Sequence, residues 1–244
     1  MTTLILGGTT EASRLASALA EAGLPAVLSY AGRTESPRAQ PVPVRIGGFG
    51  GVGGLAAYLR HAGIRRVVDA THPFAAQISR NAVAACALAG VPLIALERPA
   101  WEARAGDRWT HVPDIAAAVA ALHGPAETVF LAIGRQHLAE FAGLPHRFLL
   151  RLVDPPQALP LADAVVEVAR GPFDVAGDRA LMQRHGVGRI VAKNAGGAGA
   201  EAKLIAARDL GLPVILIDRP ALPERRVVAT VAEVMGWLHA DLGV

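Results

Sequence analysis

The chain has 244 residues, of which 52% are apolar and 18% charged, and its formal net charge is +3 with neutral histidines. This composition excludes a disordered chain, and the scattered glycines and prolines exclude collagen and coiled-coil architectures. A single cysteine excludes an intrachain disulfide, and no basic stripe points to nucleic acid. The first residues lack the basic region of a signal peptide, and no uncharged run is long enough to span a bilayer. We therefore expect a cytoplasmic globular protein that binds neither nucleic acid nor membranes.

Short apolar runs alternate with helical patterns through the first hundred residues. The runs are continuous, which is typical of parallel strands covered on both faces, and leucine and alanine recur at helical spacing between them. Strands are predicted at 3–6, 25–30, 42–46, 67–70 and 93–96, and helices at 11–22, 55–61 and 75–89.

Two parts of the chain repeat one another, which indicates two related units. Residues 63–100 and 186–221 share a G-x-x-R-(V/I)-V start and a G-(V/L)-P-x-I-x-x-(E/D)-R-P-A end, and a fainter match precedes each. In the second copy, strands are predicted near 128–133, 148–152, 165–168, 189–192 and 214–217, and a last helix near 231–239.

The predicted fold class is α/β, with two Rossmann-like parallel-sheet domains related by the repeat and the active site in the cleft between them. Residues 98–113 are charged and irregular, so they are predicted to be a linker. The domains are then 1–97, for a dinucleotide, and 114–244, for a substrate.

The loop after the first strand is a candidate phosphate site, because ligands of doubly wound sheets bind beyond the carboxyl ends of the strands. Its glycines would let the backbone approach a pyrophosphate at a helix N-terminus. The loop lacks the G-x-G-x-x-G pattern, and its threonines are equally suited to a plain N-cap. Cofactor contacts are predicted for Gly7, Gly8, Thr9, Thr10, Glu11 and Ala12.

The loop after the second strand carries Ser29 and Arg33 where NAD enzymes have an acidic residue. An arginine there suits a 2′-phosphate and favours NADPH over NADH. A solvated loop arginine is the alternative.

The loop after the fourth strand, 69–75, concentrates polar and aromatic side chains where a nicotinamide would lie. Thr71, His72 and Phe74 are the candidates, with His72 able to orient a ligand or relay a proton. A structural role for His72, bonded to a nearby carbonyl, is an equal alternative. The repeat places residues 193–197 at the equivalent position of the second unit.

The second unit offers basic residues in its two corresponding loops. The chain has only two lysines, and both lie within one stretch, at Lys193 and Lys203. Arg135 follows the strand near 128–133, where it suits a carboxylate better than a dinucleotide. The glycine run at 47–54 is interpreted as a flexible connection, with a nucleotide-contacting turn as the alternative.

Several chemistries are excluded by missing motifs. The sequence has no P-loop, no G-x-S-x-G elbow, no tyrosine with a lysine four residues on, and no zinc-spaced Cys/His cluster. Hydride transfer to an electrophilic substrate remains, because it needs little beyond positioning.

Five features together resemble the precorrin-6A reductase family of the cobalamin pathway: LGGTTEA at 6–12, DATHPFA at 69–75, the arginine–tryptophan neighbourhood that follows ERP at 97–99, GPF at 171–173 and KNAGGAGAEAK at 193–203. The resemblance covers essentially the whole chain, although Ala195 stands where the family pattern has a serine. It implies NADPH-dependent reduction of one double bond of the precorrin-6A macrocycle to precorrin-6B, with hand-over to other corrin-pathway enzymes.

The resemblance also implies roles for individual residues. His72 and Lys193 become candidate proton partners. The residues implied to hold the acidic tetrapyrrole are Arg135, Lys193, Asn194, Gly196 and Gly197. Two alternatives stay open: a reductase of another conjugated acidic substrate, and a non-catalytic NADP(H)-sensing module.

Overall fold

The computed structural model describes residues 1–32 and 39–240, and the chain divides into two compact units. Unit 1 consists of Met1–Pro99 and the segment that begins at Ala221, and unit 2 consists of Ala100–Pro220. Among the described residues, no helix is long and apolar enough to cross a membrane.

Strands and helices alternate along both units. Up to residue 99 they are β1 (Thr2–Leu6), α1 (Thr10–Glu21), β2 (Ala26–Tyr30), β3 (Val44–Ile46), α2 (Gly51–His61), β4 (Ile64–Asp69), α3 (Ala76–Ala89) and β5 (Leu93–Leu96). Residues 100–220 form β6 (Trp109–Val112), α4 (Ile115–Ala121), β7 (Thr128–Ala132), β8 (Arg147–Leu152), β9 (Ala164–Val168), α5 (Val175–Arg184), β10 (Val187–Lys193), α6 (Ala202–Asp209) and β11 (Val214–Ile217). Short 3₁₀ segments occupy Arg135–Phe141 and Ala198–Ala200, and the chain continues with β12 (Val227–Val228) and α7 (Val231–Ala240).

Continuous apolar runs form the central strands because helices cover both faces of each sheet. In β1, Leu4, Ile5 and Leu6 are at most 2% exposed. Ile5 packs into a cluster with side chains of α1 and α7, and its two neighbours pack with side chains of α2 and α3. The alternation of β1 side chains between two apolar clusters fixes its central place in the sheet.

Both sheets have six parallel strands in the same order, which confirms the predicted α/β class with two Rossmann-like sheets. The order is β3-β2-β1-β4-β5-β12 in unit 1 and β9-β8-β7-β10-β11-β6 in unit 2. The direction of winding reverses between β1 and β4, and between β7 and β10. This switch point is where doubly wound sheets bind ligands.

The sixth strand of each sheet comes from the other repeat. β6 follows β5 along the chain but pairs with β11, whereas β12 follows β11 but pairs with β5. The predicted boundaries therefore need correction, because the predicted linker 98–113 contains a strand of the second sheet. The end of the predicted second domain, from Ala221, belongs to unit 1.

The glycine run at 47–54 also differs from its interpretation as a flexible connection. Gly51 begins α2, so the second half of the run forms the first turn of a helix. The first half makes the turn that precedes this helix.

Candidate functional site

The glycine loop of unit 1 lies at the switch point and is tied to both neighbouring strands. The Gly7 amide donates to the Ser29 carbonyl at 2.9 Å, and the Ala70 amide donates to the Leu6 carbonyl at 2.9 Å. Thr9 joins the loop to the end of β4, because its Oγ1 donates to the Ala70 carbonyl at 2.7 Å. The loops after β1, β2 and β4 thus meet at one edge.

Thr9 is the N-cap of α1, as the alternative interpretation of the threonines in this loop predicts. Its Oγ1 accepts from the Ala12 amide at 3.1 Å, which engages one of the first N–H groups of the helix. Thr10 begins α1 and is exposed. The first turn of α1 therefore presents its positive end beside the glycines.

The two glycines of this loop are required for different reasons. A Cβ at Gly7 would lie 2.5 Å from Leu28 Cδ1. Gly8 has φ +123°, a conformation that side chains rarely adopt, and a Cβ built there meets no atom within 4 Å. The space beside Gly8 is consequently open.

Glu11 forms an ion pair with a residue that the sequence interpretation missed. Arg98 Nη1 lies 2.8 Å from Glu11 Oε2, with side chains 18% and 20% exposed. Glu11 therefore holds an arginine at the N-terminal end of α1. In the sequence, Arg98 belongs to the R-P-A end of the repeat and begins the predicted linker, and neither feature indicated this ion pair.

The loop after β4 is organised by Asp69, which is 2% exposed. Its Oδ1 accepts from the Thr71 amide at 3.2 Å and from the Thr71 hydroxyl at 2.7 Å. The Thr71 hydroxyl also lies 3.3 Å from Ser79 Oγ, and Asp69 Oδ2 is buried with no hydrogen-bond partner among the described residues. Thr71 is therefore held by the protein itself.

The same aspartate acts on the cysteine of the chain. Burial, and then the charge of Asp69, raise the pKa of the Cys86 thiol to about 12.

His72 accepts a backbone hydrogen bond within its own loop. The Phe74 amide donates to His72 Nδ1 at 3.2 Å, so the neutral ring carries its proton on Nε2. The two rings lie 5.8 Å apart between centroids. The sequence thus places a histidine of defined tautomer directly before α3.

Ser29 lies at the end of β2 beside an arginine of β3. Arg45 Nη1 is 3.4 Å from Ser29 Oγ and donates to the Gly47 carbonyl at 2.5 Å, while its guanidinium stacks on Phe49. Arg33, predicted to bind a 2′-phosphate, lies outside the described residues. Arg45 was missed because its motif is only a single arginine in a short strand.

In unit 2, the loop that follows β10 is held by its own neighbours. Asn194 is 5% exposed; its Oδ1 accepts from the Trp101 amide at 2.8 Å, and its Nδ2 donates to the Trp101 carbonyl at 3.1 Å. Trp101 Nε1 donates to the Gly197 carbonyl at 3.0 Å, and Arg219 Nε donates to the Asn194 carbonyl at 3.0 Å. The Asn194 amide therefore positions the loop, while Gly196 and Gly197 adopt φ values of +70° and +77°.

The remaining predicted basic residues of unit 2 lie at the ends of β7 and β10. Arg135 is exposed at the start of the 3₁₀ segment, which replaces the α-helix found after β1. Lys193 ends β10, and the pKa of the Glu140 carboxyl is lowered by its hydrogen bond to His137 and also by the charge of Lys193. Both cations therefore stand at the carboxyl edge, as their positions in the repeat predict.

A cavity of about 180 Å³ opens within unit 2, at the carboxyl ends of β7, β8 and β9. Its lining includes four residues that carry charge or an aromatic ring: Arg151, Phe173, Asp178 and Lys203. Arg151 and Asp178 were missed because no motif marks them. Phe173 was marked only as part of the family pattern, whereas Lys203 was also marked as one of the two lysines of the chain.

Two parallel sheets with the 3-2-1-4-5-6 order, and a glycine loop and helix N-terminus at the first switch point, define a Rossmann-like, doubly wound type of α/β protein. The family model "Precorrin-6x reductase CbiJ/CobK" matches residues 2–239. The chain belongs to this precorrin-6x reductase family.

Individual relatives agree over almost the full length. The chain is 66% identical to a precorrin-6A reductase of Rhodobacter capsulatus, over 98% of this chain and 96% of the relative. It is 48% identical to one of Rhodococcus erythropolis, over 96% of each chain. A cobalt-precorrin-6A reductase of Priestia megaterium is 32% identical over 95% of this chain and 96% of the relative. The solved structure of a CobK precorrin-6A reductase matches with a TM-score of 0.95 at 65% identity, over 98% of this chain and 96% of the other.

Proposed function

We propose that the protein reduces one double bond of precorrin-6A to give precorrin-6B, with NADPH as the hydride donor. The observation that carries this proposal is the 66% identity, over nearly both full chains, to a protein named precorrin-6A reductase. The TM-score of 0.95 to the solved structure of a CobK precorrin-6A reductase is consistent with the same reaction.

The residues of unit 1 fit a nicotinamide dinucleotide. The open space beside Gly8, the first turn of α1 and Arg98 provide backbone N–H groups and a cation for a pyrophosphate. In this proposal Gly7, Gly8 and Thr10 approach the phosphates. Thr9, Glu11 and Ala12 hold the loop, the helix and Arg98 in place. When bound, the cofactor supplies the hydride.

Preference for NADPH is assigned to the edge formed by β2 and β3. Arg33 keeps its proposed contact with the 2′-phosphate, and Ser29 and Arg45 stand at the same strand ends. A cation there favours a phosphate over two free hydroxyls.

Reduction of a conjugated macrocycle also needs a proton. We assign His72 and Lys193 as the two candidate proton partners, and propose that Thr71 and Phe74 lie beside the nicotinamide. The hydrogen bond from the Phe74 amide to His72 Nδ1 orients the ring. In unit 2, Arg135, Lys193 and the backbone of the loop at Gly196 and Gly197 are proposed to bind the tetrapyrrole, with Asn194 acting through the position of that loop.

The metal-free macrocycle is the proposed substrate. The identity is 66% to a relative named for precorrin-6A and 32% to one named for cobalt-precorrin-6A. An assay with both substrates tests this assignment.

The decisive experiment is an anaerobic incubation with enzymatically prepared precorrin-6A and NADPH, in which the visible spectrum and the cofactor absorbance are recorded together. We expect both signals to fall in one-to-one proportion, with slower turnover of the cobalt form and of NADH. Tight NADPH binding without any loss of either signal would overturn the proposed reaction. It would favour another acidic substrate or the sensing module.

A further inference from the structure

Two cations stand in the lining of the unit 2 cavity, and both are largely buried. The Arg151 side chain is 10% exposed, and Lys203 is 8% exposed. Neither residue belongs to the set already assigned to the tetrapyrrole. A buried cation is costly unless an anion or polar partner compensates it.

Arg151 is fixed in place by three neighbours. Its Nη1 lies 2.6 Å from Asp178 Oδ1, and its guanidinium lies over the rings of Phe173 and Phe130, 3.9 Å and 5.1 Å from their centroids. A guanidinium carries five N–H donors in a rigid fork, so one ion pair leaves other N–H groups able to bind a second anion through two hydrogen bonds. The fork is therefore oriented before any ligand arrives.

Lys203 is held in a similar way at the start of α6. Its Nζ donates to the Ala200 carbonyl at 2.5 Å and lies 4.9 Å from the centre of the Trp101 ring. With Asp178 as the one acidic residue among the cavity-lining residues, the charged side chains there sum to +1. The cavity is thus electropositive.

The cavity is large enough for a small anionic group. Its volume of about 180 Å³ has room for a single carboxylate arm or phosphate group. Gly134 and Gly171 line it without side chains, which leaves room for such a group.

We infer that Arg151 and Lys203 form an oxyanion-binding site in unit 2, for a carboxylate of the tetrapyrrole. The inference rests on the proposed function for the identity of this ligand. The site itself rests only on the contacts within unit 2.

The two lysines of the chain make a direct test possible. The full-length protein is labelled with ¹³C at the lysine ε-carbons, which gives two NMR signals that Lys193→Arg assigns. The protein is then titrated separately with inorganic phosphate, tricarballylate, NAD⁺, NADP⁺ and precorrin-6A. We expect the Lys203 signal to shift saturably with phosphate or tricarballylate, and also in the Lys193→Arg variant.

The further titrations test the source of the anion. A shift of the Lys203 signal with NADP⁺ or NAD⁺ and not with precorrin-6A would place a phosphate of the cofactor in this site and overturn its assignment to the substrate. A shift with precorrin-6A alone assigns it to a substrate carboxylate. An unchanged Lys203 signal with every ligand, while calorimetry records binding of NADP⁺ or precorrin-6A, would overturn the site.

Variants provide the second measurement. Lys203→Gln and Arg151→Lys should weaken binding of the effective anion by about tenfold or more, because each removes a charge-assisted contact. Arg151→Lys keeps a cation beside buried Asp178. Arg147→Gln is the matched control, because Arg147 lies on the same strand as Arg151 with its side chain 53% exposed. The affinity of this variant for the same anion should stay unchanged. A Lys203 shift in a protein that never reduces precorrin-6A would leave the site standing and the proposed reaction disproved.

Discussion

At the scale of single residues, Thr9 connects the cofactor loop to the rest of the sheet. One oxygen both caps α1 and bonds the end of β4, at 3.1 Å to the Ala12 amide and 2.7 Å to the Ala70 carbonyl. The same hydroxyl therefore stabilises the helix and sets the distance between the two loops at the switch point.

Thr9→Val removes both hydrogen bonds and preserves the shape of the side chain. We expect a loss of about 1 kcal/mol in the free energy of unfolding, the usual value of an N-cap, together with weaker NADPH binding. Urea denaturation and a fluorescence titration of NADPH measure the two effects. Thr9→Ser keeps the hydroxyl and should resemble the unmodified protein in both assays. Equal unfolding energies for the two variants would show that the cap contributes nothing.

Glu11 and Asn194 show which part of the site the sequence motifs could not predict, namely the partners of their side chains. Both were placed correctly at the carboxyl edges of their sheets, because strand ends are visible as apolar runs followed by glycine. Their side chains nevertheless bind Arg98 and the Trp101 backbone, which lie 87 and 93 residues away along the chain. No local pattern contains such a partner, so a motif identifies the loop and not the contact.

At the scale of secondary-structure elements, the turn before α2 explains the glycine run at 47–54. Arg45 donates to the carbonyls of Gly47 and Gly48, at 2.5 Å and 2.7 Å, and closes the turn. A Cβ at Gly54 would lie 1.7 Å from the Phe49 carbonyl oxygen, whereas one at Gly53 would meet no atom within 4 Å. Of these two neighbouring glycines, Gly54 therefore has no room for a side chain, whereas Gly53 does.

Gly54→Ala and Gly53→Ala form a matched pair that tests this difference. Gly54→Ala should destabilise the protein by about 2 kcal/mol or more, because backbone must move to accept the methyl group. Gly53→Ala should stabilise it by about 0.5–1 kcal/mol, the usual advantage of alanine over glycine in a helix. Urea denaturation of both variants gives the values. A destabilised Gly53→Ala with an unchanged Gly54→Ala would contradict the packing described for this turn.

The elements that sequence patterns predicted are those with long apolar runs. β1, β5, β7 and β11 were found within one residue of their observed limits. β6 was hidden, because two of its four residues, Thr110 and His111, are exposed and the strand follows a charged stretch. β12 has only two residues, which is shorter than any periodicity can reveal.

At the scale of the whole molecule, the repeat predicted two similar units but not how they share strands. Each repeat contributes five strands to its own sheet, and its sixth strand pairs in the sheet of the other. Tandem sequence order is compatible with either arrangement, since both give the same pattern of apolar runs. Only the pairing of β5 with β12 and of β11 with β6 distinguishes them.

The exchange makes unit 1 dependent on the end of the chain. Val234 and Leu238 of α7 are fully buried against α1 and β1 side chains, and the Ala95 and Glu97 amides each donate at 2.9 Å to carbonyls of residues 226 and 228. Burial of two such side chains is worth about 3–6 kcal/mol, which is a large part of the roughly 5–15 kcal/mol that stabilises a domain.

A fragment of residues 1–97, the predicted first domain, should therefore fail to unfold cooperatively. A chain in which residues 1–99 are joined by a flexible Gly/Ser linker to residues 221–244 should fold, because it restores β12 and α7 to the sheet. Far-UV circular dichroism during urea denaturation compares the two, and NADPH titration of the joined chain tests the cofactor assignment at the same time. The joined chain with Val234→Asp is the matched control, since a buried carboxylate in α7 should return it to the behaviour of the short fragment. Cooperative unfolding of residues 1–97 at an unchanged urea midpoint would show that the exchanged segment is not part of the folding unit.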